Sequence, residues 1–285
     1  MIRLLIEKEI RDQITSTRFV LTFSACVVLI LLAFYMGARN YQVGVAQYEA
    51  AKRENLRQLD GVTDWLQVRQ HRIFLPPRPL ASLVTGVSND IGRTVEVRGR
   101  GELIAEDSRY GDEPMYAVFR FLDLDFVFQI VLSLLAIVFA YDAVSGEKER
   151  GTLRLSLAHA VPRATYILGK VIGMFLGVAV PLLLPILLGC LLFSVMGVHL
   201  TADEWLRLGC IIALGLLYFG AFLTLAIFVS ALTHRSSSSF LFLLSIWIIT
   251  TLVLPRSAIL LAGRAVDVPS SESLMSQKAR FRGQL

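Results

Sequence analysis

Charge is concentrated in one place in this chain. Glu147, Lys148, Glu149, Arg150 and Arg154 fall within a polar island, residues 142–162, between the apolar runs 126–140 and 167–198. A centrally placed Asp, Lys or Arg costs about 2.5–3.5 kcal/mol in hydrocarbon, so the island belongs at a membrane surface. Ser145 and Gly146 end or reorient the preceding run, and Gly151-Thr152 permits a sharp turn after the mixed charges. Leu153 and Leu157 then fall on one helical face, and Pro162 bounds the segment. The chemistry on offer is recognition: a short amphipathic element parallel to the membrane, presenting acids, bases and leucines. Leu153, Leu155 and Leu157 call for lipid or a protein partner. The plainer alternative is a solvated loop that only joins two spans.

Bond-making chemistry is harder to find. The sequence has no Gly-x-x-x-x-Gly-Lys-[Ser/Thr] phosphate loop, no His-Glu-x-x-His and no Gly-x-Ser-x-Gly. Apart from residues at the outer ends of the spans, the ionisable residues expected within the membrane are Asp142 and Lys170, both near the cytoplasmic face. A proton-driven transporter places carboxylates near the bilayer midplane, and an intramembrane hydrolase needs a facing nucleophile and base. Lys170 is expected to snorkel to the interface. Cys26, Cys190 and Cys210 have no ligand spacing and read as small buried apolar residues. His71 has no partner at ligand spacing. We therefore expect no catalytic residues, no metal and no cofactor.

The elements that must position the island are membrane helices. Of 285 residues, 55% are hydrophobic, which is too apolar for a soluble domain of this size. The net charge of +5 fits Lys and Arg facing anionic lipid better than nucleic-acid binding. Residues 1–18 read as an amphipathic helix in the interface. Ile2, Leu5, Ile6, Ile10 and Ile14 recur at helical spacing, while Arg3, Glu7, Lys8 and Arg11 take other faces. Span 1 covers residues 19–37, and the basic residues before it place the N-terminus in the cytoplasm. No cleavage signal comes after that run.

Residues 38–123 form an extracytoplasmic insert. Tyr41, Val45, Tyr48, Ala51 and Leu56 sit near helical spacing, so the first span continues as helix through Leu59. Pro76, Pro77 and Pro79 then break it, Thr94 to Arg98 alternates like a strand, and Gly86, Gly92, Gly99 and Gly101 mark turns. Span 2 covers 124–144, the island 145–165, span 3 166–198, span 4 205–233 and span 5 240–261. Gly169, Gly173 and Gly177 make a small-xxx-small ladder in span 3, a surface for close helix packing. The tail, 262–285, is too polar to span, so an odd number of spans places it outside. The expected fold class is an all-α polytopic membrane protein of about five helices with a small extracytoplasmic α+β insert.

At the island the sequence resembles a known family. Ser-Gly-Glu-Lys-Glu-Arg-Gly-Thr-Leu, with Glu147, Glu149, Gly151 and Thr152 as E-x-E-x-G-T, is similar to the cytoplasmic signature of the type-2 ABC exporter permeases. Pro162-Arg163, Tyr166, Gly169 and Lys170 are similar to the residues that open the next span in that family. The layout resembles the branch with a large outer domain after the first span, including multicopper-enzyme-maturation and gliding-type permeases. The resemblance implies a permease subunit in the inner membrane, itself not an enzyme, that binds a separate cytoplasmic ABC ATPase. The segment Glu147, Lys148, Glu149, Arg150, Gly151, Thr152, Leu153, Arg154 would be the ATPase-coupling helix, with residues 1–18 as the connecting helix. A second permease copy or homologue would complete the transporter. That family has six spans, and this chain stops soon after its fifth, as a shortened product or one completed by a partner. An alternative is a membrane anchor or scaffold of an envelope complex, regulated by the ATPase without moving a solute.

Overall fold

In a bilayer, a long apolar run must satisfy its backbone polar groups internally, which leaves helices as the solution. A computed structural model describes residues 2–60, 71–84, 94–97, 104–106, 123–154, 162–265, 276–277 and 280. Among them are five helices long and apolar enough to cross a membrane: span 1 (Thr17–Arg57), span 2 (Leu124–Glu149), span 3 (Arg163–Val195), span 4 (Ala202–Leu232) and span 5 (Ser236–Ala262). A separate lead helix, α1 (Ile2–Ile14), precedes span 1. The protein is an all-α, multi-pass membrane protein.

The helix ends have local causes. Ser16 Oγ accepts the Phe19 N–H at 3.1 Å to cap span 1, and Asp123 does the same for Phe126 at 2.9 Å in span 2. Span 4 starts at Ala202, ahead of the Trp205 boundary expected from hydropathy. Thr201 and Glu204 form a capping box there, with the Thr201 N–H donating to the Glu204 carboxylate at 2.9 Å. Span 3 stays one helix through Pro181 and Pro185. It closes at Gly197, whose φ of +81° lets the Val198 N–H reach back to the Phe193 carbonyl at 3.3 Å.

Span 1 belongs to a 43-residue helix, Thr17–Leu59. At 1.5 Å per residue that is about 65 Å, against a hydrocarbon core of about 30 Å, so its far part leaves the membrane. Gln42 ties it to the turn after span 3, donating from Nε2 to the Met196 carbonyl at 2.7 Å. Beyond it, the short strands His71–Phe74, Thr94–Val97 and Ile104–Glu106 pair antiparallel in that order. The expectations for Gly86, Gly92, Arg98, Gly99 and Gly101, and for most of the tail beyond Ala265, lie outside the described residues.

The core lies between the spans, where Ile30, Phe34, Leu182, Phe193, Phe219 and Leu223 are buried. Cys26 and Cys190 are buried as expected, but Cys210 is exposed on span 4. A thiol is small and apolar enough to face lipid as readily as protein. Two spans depart from α geometry: Val127–Leu132 in span 2 and Ile248–Val253 in span 5 are π-helical. The wider turn loosens the backbone ladder, and side chains fill in. The Ser133 hydroxyl donates to the Gln129 carbonyl and accepts the buried Trp247 Nε1–H at 2.8 Å, pinning the two spans together beside their irregular turns.

Candidate functional site

Ser145–Glu149 is a single helical turn at the end of span 2. Successive residues on a helix are rotated by about 100°, so Glu147, Lys148 and Glu149 point three ways. Each finds a different helix end. Glu147 turns to span 3: its Oε1 lies 2.9 Å from Lys170 Nζ, and its Oε2 accepts the Tyr166 hydroxyl. Lys148 turns to the end of span 4, donating to the Thr233 carbonyl at 3.0 Å and to that of Ala231. Glu149 turns to the start of span 5, where its two oxygens accept the Ser236 N–H at 3.0 Å and the Ser236 hydroxyl at 2.9 Å. A cation thus sits at a helix C-terminus and a carboxylate at a helix N-terminus, the arrangement that complements both dipoles. Beneath them Ser230 Oγ accepts the N–H groups of Val144 and Ser145, each at 3.0 Å.

The wiring continues to α1. Lys170 is 4% exposed and Glu9 8% exposed, and Lys170 Nζ lies 2.9 Å from Glu9 Oε1. One buried cation is therefore shared by two carboxylates from positions 9 and 147. This corrects the expectation that Lys170 snorkels: it points inward because Glu9 and Glu147 replace its water. Part of the apolar face of α1 packs against span 3. Ile2 and Ile14, on the apolar face expected to lie in the membrane interface, are 39% and 43% exposed to the surroundings of the bundle. The face against span 3 is made by Leu5, Ile6, Glu9, Ile10 and Gln13. The glycine ladder is its seat. A Cβ at Gly169 would lie 3.0 Å from Leu5 Cβ, one at Gly173 would lie 2.8 Å from Glu9 Cβ and 3.2 Å from the Ile6 carbonyl, and one at Gly177 would lie 2.7 Å from Gln13 Oε1. Without side chains at these positions the helices approach closely enough for the ion pair to form.

The remaining expected site residues face outward or continue the turn. Arg150 Nε donates to the Gly146 carbonyl at 3.1 Å. Gly151 adopts φ +74°, a left-handed conformation that suits glycine and redirects the chain. Thr152 and Arg154 are exposed, and Leu153 is partly buried against the core. Leu155 and Leu157 lie outside the described residues. On α1, Arg3, Glu7, Lys8 and Arg11 are exposed. Arg18 joins span 1 to span 2, lying 3.1 Å from Asp142 and donating to Tyr141 Oη at 3.0 Å. Among the described residues no group of three His, Cys, Asp or Glu side chains is placed to hold a metal ion.

Sequence reasoning missed Glu9, Gln13, Tyr166 as a hydrogen-bond donor, and Ser236. Glu9 carried a signal: it falls between Leu5, Ile6 and Ile10 on the same helical face. The arrangement connects the starts of spans 3 and 5 and the end of span 4 to one short turn, and through Lys170 it reaches the middle of α1, so a displacement of that turn is felt by all of them.

Residues 3–275 match the family model described as ABC-2 family transporter protein. A stretch of 125 residues is 31% identical to the Probable ABC transporter permease protein NosY of Stutzerimonas stutzeri, covering 43% of this chain and 45% of that protein. The matched region thus spans less than half the length of that relative.

Proposed function

The chain belongs to the ABC-2 family of transporter proteins, and on that premise we propose that it is the permease subunit of an exporter driven by a separate cytoplasmic ABC ATPase. In this reading two permease chains and two ATPase subunits form the transporter in the inner membrane. Arg3, Lys8, Arg11 and Arg18 ahead of span 1 favour a cytoplasmic N-terminus. The helix ends gathered around Ser145–Glu149 then share the cytoplasmic face, and the insert after span 1 is a small mixed domain outside.

The observation that carries the reading is the wiring of Ser145–Glu149 to spans 3, 4 and 5 and, through Lys170, to α1. It divides labour within the signature. Glu147, Lys148 and Glu149 face the bundle and transmit force. The exposed Thr152 and Arg154, with Arg3, Glu7, Lys8 and Arg11 on α1, form the surface that meets the ATPase. When the ATPase dimer closes on ATP, it pushes this turn, and the spans shift as rigid bodies.

The test is co-purification with the cognate ATPase, paired with its ATP turnover in vesicles. Reversing Arg154 and Arg11 to Glu is expected to abolish co-purification. Lys148→Met is expected to preserve binding but uncouple ATP turnover from transport. Unchanged co-purification in the reversal variant would remove the assignment of this surface.

A further inference from the structure

The contacts of the turn Ser145–Glu149 with spans 3, 4 and 5 differ in what breaking them would leave behind. The contact with span 3 holds the buried Lys170, so parting it strands a cation away from water. The contact with span 4 holds the N–H groups of Val144 and Ser145 on Ser230 Oγ, and all three residues are buried. Parting it leaves two donors with neither water nor an acceptor. The contact with span 5 is different. Glu149 is exposed and Ser236 is half-buried, so water replaces each partner when they separate.

Ser145 carries the same asymmetry. A hydroxyl has one proton and two lone pairs. Ser230 Oγ uses both lone pairs on the two N–H groups, so its proton goes to Ser145 Oγ, 3.1 Å away. The Ser145 proton then has two acceptors: Ser236 Oγ on span 5 at 3.3 Å, and the Tyr141 carbonyl of its own helix at 3.1 Å. The bond to span 5 can be given up without leaving this buried hydroxyl unpaired.

We propose that the junction of the turn with span 5 is a clasp that opens, while the turn stays fixed to spans 3 and 4. Span 5 is the least buried of the five spans. Its next polar tether to another span after Ser236, among the described residues, is Trp247, which donates to Ser133. Trp247 lies eleven residues further on, about 16 Å along the helix. Between them, Phe240 meets the Tyr141 ring edge-on, a contact that can slide without stranding a polar group. A swing of about 10° pivoting at Trp247 moves Ser236 by about 3 Å, enough to part it from Glu149. When the turn is pushed, span 5 is the helix left behind, and α1 travels with the turn through Lys170. That use of the clasp rests on the proposed coupling to an ATPase; its opening does not.

Ser239 reports the opening. It lies one turn beyond Ser236 on the same face, is fully buried, and its hydroxyl has no hydrogen-bond partner, so a thiol there removes no bond. In a chain with Cys26, Cys190 and Cys210 replaced by Ala, Ser239→Cys and Ser230→Cys are labelled with N-ethylmaleimide in mild detergent without ATPase. Each rate is taken relative to the same thiol in the unfolded chain, and Val144→Cys is a second buried control. Ser239→Cys is expected to label at least about tenfold faster than either control. Adding Ser236→Ala should speed it about fivefold further. Equal labelling, or faster labelling of the controls, overturns the proposal. A second measurement does not need the Ser239 variant. With the cognate ATPase bound, a disulfide between Ser145→Cys and Ser236→Cys should lower ATP turnover about tenfold, and reduction should restore it. Turnover that the disulfide leaves unchanged also overturns the clasp. Loss of ATPase co-purification strikes the coupling reading alone, and the labelling rates still decide the clasp.

Discussion

Replacing Lys170 by Met tests the ion-pair wiring most directly. The side chain is 4% exposed and lies 2.9 Å from a carboxylate oxygen of Glu9 and of Glu147. Met fills nearly the same space but carries no charge, so Glu147 loses its ion-pair partner and Glu9 keeps only the exposed Lys8 at 4.0 Å. Removing one partner of a buried pair costs about 3–5 kcal/mol, and each 1.4 kcal/mol is about tenfold in an equilibrium. The docked state of α1 should therefore weaken by about two to three orders of magnitude. Glu9→Gln is the informative contrast. Its amide oxygen still accepts from Lys170, and one cation now faces one carboxylate, so the loss should be about 1 kcal/mol. The assay is amide hydrogen exchange across Ile2–Ile14 in detergent, where exchange of local openings reads this free energy. Fast exchange in Lys170→Met with near-native exchange in Glu9→Gln is expected. If Glu9→Gln exchanges as fast as Lys170→Met, or if Lys170→Met leaves α1 protected, the triad does not hold the helix.

The packing and the caps set three further outcomes. Gly173→Leu should cost about 1–3 kcal/mol and release α1, because its Cβ would meet Glu9 Cβ at 2.8 Å and the Ile6 carbonyl at 3.2 Å. Its control, Gly209→Leu, has nothing within 4 Å of its Cβ and should leave the melting temperature unchanged. Thr201→Ala should cost about 0.5–2 kcal/mol, read as faster amide exchange in the first turn of span 4. Trp247→Phe removes the donor to Ser133 and should cost about 1 kcal/mol, measured as a drop in melting temperature.

The helical frame was legible because apolar runs of span length admit few other readings. The continuation of the first helix to Leu59 was likewise visible in the spacing of Tyr41, Val45, Tyr48 and Leu56. Start points were harder: hydropathy began span 4 at Trp205, while Thr201 and Glu204, a capping signal readable in the sequence, begin it earlier. The π-helical turns leave no trace, since an extra residue does not disturb the period of a run that is apolar on every side. The island was recognisable as a signature, but the direction of its side chains was not. Glu147, Lys148 and Glu149 read as a docking surface because their partners lie far along the chain, at Lys170, Thr233 and Ser236. Lys170 failed for the same reason. Its two counterions come from positions 9 and 147, and only the glycine seat brings them within reach.

The unbroken helix Thr17–Leu59 makes the first span a lever. It contains no proline, and its far part, tied to Met196 through Gln42, stands clear of the hydrocarbon. A tilt of about 5° pivoting in the bilayer moves a tip about 35 Å away by about 3 Å. Small rocking at the end held by Arg18 and Asp142 is thus magnified on the opposite side of the membrane, with no hinge required in between.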